Sequence, residues 1–347
     1  MRLDRTRTPF LIVGENIHAT RVLKRAGKHA AELEDGTVGI AFEAADGTRH
    51  VLPVHPDLVA ARDFGAGRIK HVASAVLWGL EGGAQAATAA AYLQALALRQ
   101  ERAGADWLDL NADELSADAE VRARAIAWMV VTVEQTAGVP VAIDSSDVGV
   151  LAAGVAASTQ PRGRLLLNSA SIERPDVLDI AAETGCAVIL AASGQGGMPA
   201  NADERVANAV RLIELAMARN MAGDLLYVDP LVLPVAVEPE APMYVLDAAR
   251  ALRAEYGDAI HLTGGLSNVS FGMPQRKLLN DTFIDLAADA GVDSGIIDPV
   301  ASDLGRVFSA DRGSEPYRLA ADMLLGRDPF GGEYVLAFRE GRLGAGE

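Results

Sequence analysis

The chain has 347 residues, 50% of them hydrophobic and 22% charged, with a formal net charge of −16; that is room for one large barrel or two smaller domains. The acidic balance, without any basic cluster, excludes a nucleic-acid partner. A single cysteine excludes an internal disulfide framework and any multi-cysteine metal or iron–sulfur site.

In chain order, PFLIVGENI reads as a first strand whose end brings Glu15 to His18 to the strand's C-terminal edge. Its leader, MRLDRTRTPFLIV, lacks the length and cleavage pattern of a signal peptide. No run approaches the roughly 20 apolar residues of a membrane span, so a cytoplasmic protein without membrane contact is expected. Residues 20–75 are irregular, and two alternating runs flank Asp46-Gly47, a favoured hairpin turn. A β-hairpin over 30–55 is therefore expected as an insertion after strand 1. A helix follows over 83–103, where Ala and Leu dominate up to Gly104.

Beyond that point apolar runs near 106–111, 140–144, 164–168, 186–192, 225–229, 259–264 and 294–298 alternate with helical stretches. With the first strand they make eight, which favours a closed (β/α)8 TIM barrel over an open doubly wound sheet. No GxGxxG opens a helix after strand 1, so a nicotinamide-type fold has little support. Cys186 opens the run CAVILAAS and reads as a buried core thiol. The chain is read as a single domain, 1–347, with a Gly-rich tail over 328–347 on the surface or at an interface.

Six apolar runs close on an Asp or Asn: Asn111, Asp144, Asn168, Asp229, Asn268 and Asp298. In a barrel the C-terminal strand ends share one face, so these side chains would line a polar cup. A cup rich in amides and carboxylates, and poor in Lys, Cys and His, suits a neutral heterocycle with many hydrogen-bond donors. For any one of the six, capping of the next helix is an equally good reading. Asp229 and Asn268, however, are followed by further apolar or Gly-rich residues, a poor place for a cap. The histidines form no HxH or HExxH pattern, so no metal bound by this chain is expected.

The stretch GGLSNVSFGMPQRKLLNDTF, with the later AGVDSGIIDP, resembles the pterin-binding methyltransferases that move a methyl group between tetrahydrofolate and a corrinoid protein. DWLDLN, AIDSS, LLNSAS and YVDPLVLP occur in that family's order, and the resemblance covers roughly 83–300 plus the first strand. It is similar also to the folate domain of cobalamin-dependent methionine synthase and, more remotely, to dihydropteroate synthase. The resemblance implies a barrel whose mouth holds the pterin, a homodimer, tetrahydrofolate or 5-methyltetrahydrofolate as substrate, and cobalamin carried by a separate corrinoid protein. It implies pterin contacts from Asn111, Asp144, Asn168, Asp229, Gly265, Ser267 and Asn268, with Asn268 reaching N5 and Asp144 in a network that supplies its proton. Asp229 suits the pterin's adjacent 2-amino and N3–H donors, which one carboxylate can accept together.

The chain departs from the family where a GERIN-like sequence closes strand 1: here it reads Gly14-Glu15-Asn16-Ile17-His18. His18 is either a substituted pterin contact or a packed histidine without a catalytic part. Arg276 and Lys277 stand as candidate partners for the folate glutamate tail or as solvated helix residues, Gln195 as a ligand contact or part of a Gly-rich turn. Two other functions remain open at this level: pteroate synthesis on the same scaffold, and a non-catalytic folate-binding subunit of a corrinoid complex.

Overall fold

The computed structural model describes residues 10–344; the segment preceding Phe10, on which the leader reading rests, lies outside them. The strands are β1 Leu11–His18, β2 Val22–Lys24, β3 Ala30–Glu32, β4 Val38–Glu43, β5 Arg49–Pro53, β6 Arg68–Lys70, β7 Trp107–Asn111, β8 Val141–Asp144, β9 Leu166–Ala170, β10 Ala187–Ala191, β11 Leu226–Asp229, β12 His261–Leu262 and β13 Ser294–Ile297. Eight of them join in the order β12-β11-β10-β9-β8-β7-β1-β13, the order of a barrel opened between β12 and β13. That seam is bridged by Asp293 N–H to Leu262 O at 3.2 Å, Ile296 N–H to Gly264 O at 2.9 Å and a parallel bridge between Gly265 and Ile296. The fold is the expected (β/α)8 barrel. No described helix is long and apolar enough to cross a membrane.

Contacts group the chain into two compact units, Gly14–Asn168 and Met1–Val13 with Ser169–Glu347. In the first, β7 and β8 pair in parallel, with Asn111 opposite Asp144, and β8 continues onto β9 with Asp144 opposite Asn168. Leu108, Leu110 and Ile143 are fully buried, each worth roughly 1.5–3 kcal/mol as an upper estimate. The helix Val148–Ala157 lies close on β8, since a Cβ at Gly154 would stand 2.7 Å from Ile143 Cγ2. The helix Ala86–Arg102 is rich in good helix formers, and Ala89, Leu93, Ala97 and Gln100 mark its buried stripe.

The insertion is larger than the hairpin expected. β4 and β5 are joined by the Asp46-Gly47 turn, and β3 adds a third strand through a second turn of the same build. In each turn the Asp accepts from the backbone N–H two residues on at 2.9 Å and from the Thr hydroxyl at 2.6 Å, with Gly36 and Gly47 at positive φ. The sheet is fixed to the helices beside it: Phe42 meets Tyr92 edge-on at 4.9 Å, and Trp78 Nε1 donates to Pro53 O at 2.8 Å. β2 and β6 pair antiparallel, so the insertion leaves and returns as a ribbon.

In the other unit, β10 and β11 pair in parallel with Ala191 opposite Asp229. Cys186 is buried, as its apolar context suggests. Asn201 caps the helix Ala202–Met217 by accepting from Glu204 N–H at 2.9 Å, while the Glu204 carboxylate turns back to Ala200 N–H at 2.8 Å. The described part of the tail is partly helical. Residues Gly332–Arg339 form a helix, Tyr334 is fully buried, and its N–H and hydroxyl donate to Asp328 and to Pro274 O. Tyr334 and Ala337, one turn apart, supply an apolar face that the flanking glycines obscure in the sequence.

Candidate active site

Alternation along β7 puts Asp109 and Asn111 on one face. Asn111 Nδ2 donates to Asp144 Oδ2 at 2.9 Å, its Oδ1 accepts from Asp113 N–H at 3.0 Å, and Asn168 Nδ2 lies 3.4 Å from Asp109 Oδ1. His18 joins them from the end of β1, with Nε2 2.7 Å from Asp109 Oδ2 and 3.8 Å from Asp144 Oδ2. The structure thus brings together four residues singled out from sequence, His18, Asn111, Asp144 and Asn168, around a fifth that was not, Asp109. Asp109 is sealed from solvent, whereas the side chains of His18 and Asp144 keep 20% and 24% exposure.

Burial, the largest influence on His18, disfavours its cation, but the hydrogen bond it donates to Asp109 and the charges of Asp109 and Asp144 outweigh it. The imidazole is held above its ordinary pKa. Burial and then the Asp109 charge push the Asp144 carboxyl up to about 7, against the pull of His18 and Asn111. One donor atom from each of His18, Asp109 and Asp144 lies within 4.8 Å of the others, a set a divalent cation could also use. The 2.7 Å His18–Asp109 contact is nevertheless hydrogen-bonded; zinc ligands at about 2.0–2.1 Å from the metal stand roughly 3.4 Å apart in a tetrahedron. Asp113, also missed from sequence, anchors the AIDSS segment by accepting from Ser145 Oγ at 2.6 Å, Ser146 N–H at 2.7 Å and Ser146 Oγ at 2.8 Å.

In the other unit Asp229 closes β11, and its Oδ1 accepts from Leu231 N–H at 2.7 Å. The carboxylate also accepts from Gly265 N–H, and burial pushes it up to about 6 despite these bonds and the charge of Arg205. Leu231 takes a positive φ of 68°, a conformation rare for a branched side chain, where the chain turns away from Asp229. Asn268 is not at a strand end: it sits in the 3-10 turn Leu266–Ser270, beyond β12. A Cβ on Gly265 would stand 2.6 Å from Asn268 Nδ2, so glycine makes room for the amide. Val235 N–H donates to Val269 O at 2.9 Å, tying the loop after β11 to this turn.

Arg276 clamps the same turn. Its Nε donates to Ser270 Oγ at 3.0 Å, its Nη2 to Ser267 O at 3.2 Å, and its guanidinium lies over the Phe271 ring at 4.3 Å. Lys277 pairs with Asp281. Both cations expected near a glutamate tail thus have intramolecular partners. Gln195 is exposed in the turn bridged by Gly194 and Gly197, and Asp298 caps its own turn by accepting from Val300 and Ala301 N–H at 3.0 and 3.1 Å. Arg205, fully buried on the helix Ala202–Met217, acts on Asp229 by charge; nothing in NADERVANAV distinguishes it from a solvated helix residue.

A family model described as "Pterin binding enzyme" matches residues 81–298. The chain belongs to the pterin-binding enzymes, and within them it is a methyltransferase. A methylcorrinoid:tetrahydrofolate methyltransferase of Eubacterium limosum is 31% identical over 261 residues, covering 73% of this chain and 89% of that protein. Two solved dihydropteroate synthases share the fold. The enzyme from Xanthomonas albilineans in complex with 7,8-dihydropteroate has a TM-score of 0.51 at 18% identity, over 64% of this chain and 84% of its own. That from Stenotrophomonas maltophilia has 0.50 at 19%, over 64% and 86%.

Proposed function

We propose that the protein transfers a methyl group between N5 of 5-methyltetrahydrofolate and the cobalt of a separate corrinoid protein. The observation that carries this reading is the pairing of Asp229 with the Gly265–Asn268 turn: a half-buried carboxylate with free lone pairs next to an amide held in a tight, clamped turn. Asp229 accepts from the pterin 2-amino and N3–H groups, a charge-assisted pair. Asn111, Asp144 and Asn168 supply further pterin contacts, and Gly265 and Ser267 shape the turn that presents Asn268.

Departure of N5 as an anion is prohibitive, so N5 carries a proton or a strong hydrogen bond when cobalt(I) attacks the methyl carbon. Asn268 cannot donate a proton at neutral pH, but its amide stabilises the charge on protonated N5. The 31% identity to a methylcorrinoid:tetrahydrofolate methyltransferase supports the direction from methylcorrinoid to tetrahydrofolate. The likeness to dihydropteroate synthases, at 18–19% identity, concerns the fold alone.

Asn268→Ala tests the reading. Transfer should slow by about 10²–10³-fold, the usual effect of removing one such donor, while calorimetric affinity for 5-methyltetrahydrofolate changes far less. Equal loss of rate and affinity would reduce Asn268 to a binding contact. A wild-type protein that binds folate but transfers no methyl group to any corrinoid would leave a binding subunit.

A further inference from the structure

We propose that a groove within the unit containing Ser169–Glu347 docks a segment of a separate protein, one that presents an apolar side chain flanked by Lys or Arg. The groove has a volume of about 700 Å³ and lies between the loop after β11 and the turn that follows the helix Glu315–Leu324. One wall, Met323 to Gly331, lies beyond the residues 81–298 that match the pterin-binding family. The inference is therefore independent of the folate–corrinoid reading.

Val235, Met243, Tyr244, Met323 and Leu325 give the groove an apolar lining, rich in side chains that adapt to a partner's shape. The apolar surface does not end at the rim. Val237 and Phe330, one beside each wall, are 77% and 86% exposed. A small ligand would fill the groove and leave both in water, whereas a polypeptide covers groove and rim together.

Phe330 carries a second mark. Its backbone has φ 59° and ψ 13°, a left-handed conformation that is costly for a bulky residue. The neighbouring Gly331 is packed, since a Cβ there would stand 2.9 Å from Met323 Cε and 3.6 Å from Met273 Cε. The chain thus turns on its glycine and leaves the aromatic ring in solvent, with too little contact inside the protein to offset the strain. A strained, solvent-facing aromatic at the rim of a groove has the properties of an interface anchor.

Charge selects the occupant. Glu238, Glu240, Asp247 and Asp328 line the groove, and no Lys or Arg does. Asp328 is engaged by the N–H groups of Glu333 and Tyr334, and Asp247 pairs with Arg250 at 2.7 Å. Glu238 accepts from Glu240 N–H at 3.3 Å and Glu240 from the Tyr244 hydroxyl, and neither has a salt bridge among the described residues. Arg205, which senses the charge of Glu238, is fully buried, its guanidinium 5.6 Å from the Tyr244 ring. Two exposed carboxylates beside an apolar groove favour a cationic partner. A second copy of this chain, with its net charge of −16, would bring like charge to them, as would an anionic lipid surface.

Both walls are tied to the segment that carries Asn268. Val235 N–H donates to Val269 O at 2.9 Å, and the Tyr334 hydroxyl, from the helix that follows the groove, donates to Pro274 O at 3.2 Å. A docked segment is therefore held beside the Asn268 turn.

The test titrates the full chain into a short fluorescent peptide of Lys and Leu, and into a Glu and Leu counterpart, by anisotropy. The Lys peptide should bind saturably and weaken as salt is raised to about 0.3 M, and the Glu peptide should not bind. Phe330→Gly removes the ring and suits the positive φ, so Tm should hold or rise while the Lys peptide binds about tenfold more weakly. Glu238→Gln with Glu240→Gln should also weaken it about tenfold. Glu34→Gln with Glu43→Gln, exposed carboxylates of the insertion, should leave it unchanged. Phe330→Asn serves as the second variant if the Gly variant does not fold. Wild-type affinity in Phe330→Gly, or an equal loss on changing Glu34 and Glu43, would show attraction to net charge alone and overturn the docking groove. Absence of Lys-peptide binding would overturn it as well. A wild-type dimer that sediments as a monomer after Phe330→Gly would assign the groove to a second copy, again against the proposal. No outcome depends on folate, so the docking groove and the methyl-transfer reading fail separately.

Discussion

Replacing Asp229 by Asn keeps an acceptor oxygen for Leu231 N–H, so the backbone turn after β11 survives. The other oxygen becomes an NH2 group facing one of the two pterin donors. The loss is one charge-assisted bond, about 1.5–3 kcal/mol, plus a donor–donor conflict. A total of about 3 kcal/mol corresponds to roughly 10²-fold weaker folate binding. The pH dependence gives an independent check. The Asp229 carboxyl lies at about 6, and folate needs its ionised form, so binding weakens as pH falls through that value. At pH 5, about one molecule in eleven remains ionised, and affinity should be about tenfold below its plateau above pH 7. Calorimetric titration of wild type and Asp229→Asn with 5-methyltetrahydrofolate at both pH values measures each effect. Wild-type affinity in the Asn variant at neutral pH would refute Asp229 as the pterin acceptor.

Gly265→Ala places a Cβ 2.6 Å from Asn268 Nδ2, so the amide must move; transfer should slow by about 10²-fold, with Tm reporting the smaller effect on stability. Asp113 is held below the ordinary carboxylate range because bonds from Ser145 and Ser146 outweigh its burial. A depressed folded-state pKa contributes stability that is present above the unfolded value, about 3.9, and is lost as pH falls through the folded one. Asp113→Asn should therefore cost about 1 kcal/mol at pH 7, allowing for partial exposure, and the gap in denaturant midpoint from wild type should close in acid.

The barrel was legible because its strands are continuous apolar runs separated by amphipathic helices, and each of the eight runs matches a strand to within a few residues. The candidate site was legible at the strand ends, where Asn111, Asp144 and Asp229 interrupt apolar sequence. Asp109 was not, because within WLDLN it reads as one polar residue in a buried strand; only alternation relative to Asn111, together with the position of His18, gives it meaning. Asn268 reads as the end of a strand because HLTGGLSNVS is apolar and Gly-rich. Yet β12 stops at Leu262, and the glycines lead into a 3-10 turn. The third strand of the insertion had a signal that repetition reveals: Asp35-Gly36-Thr37 duplicates the turn chemistry of Asp46-Gly47-Thr48.

The ribbon formed by β2 and β6 places Lys24 opposite Arg68, so the insertion's entry and exit lie side by side. A short turn across Lys24 and Arg68 would reseal the chain at little loop-closure entropy, so what holds the excursion in place is the packing of its sheet on Tyr92 and Trp78. The protein thus carries, immediately after the strand that ends in His18, a docking point where new sequence can be tried without renegotiating the barrel's own register.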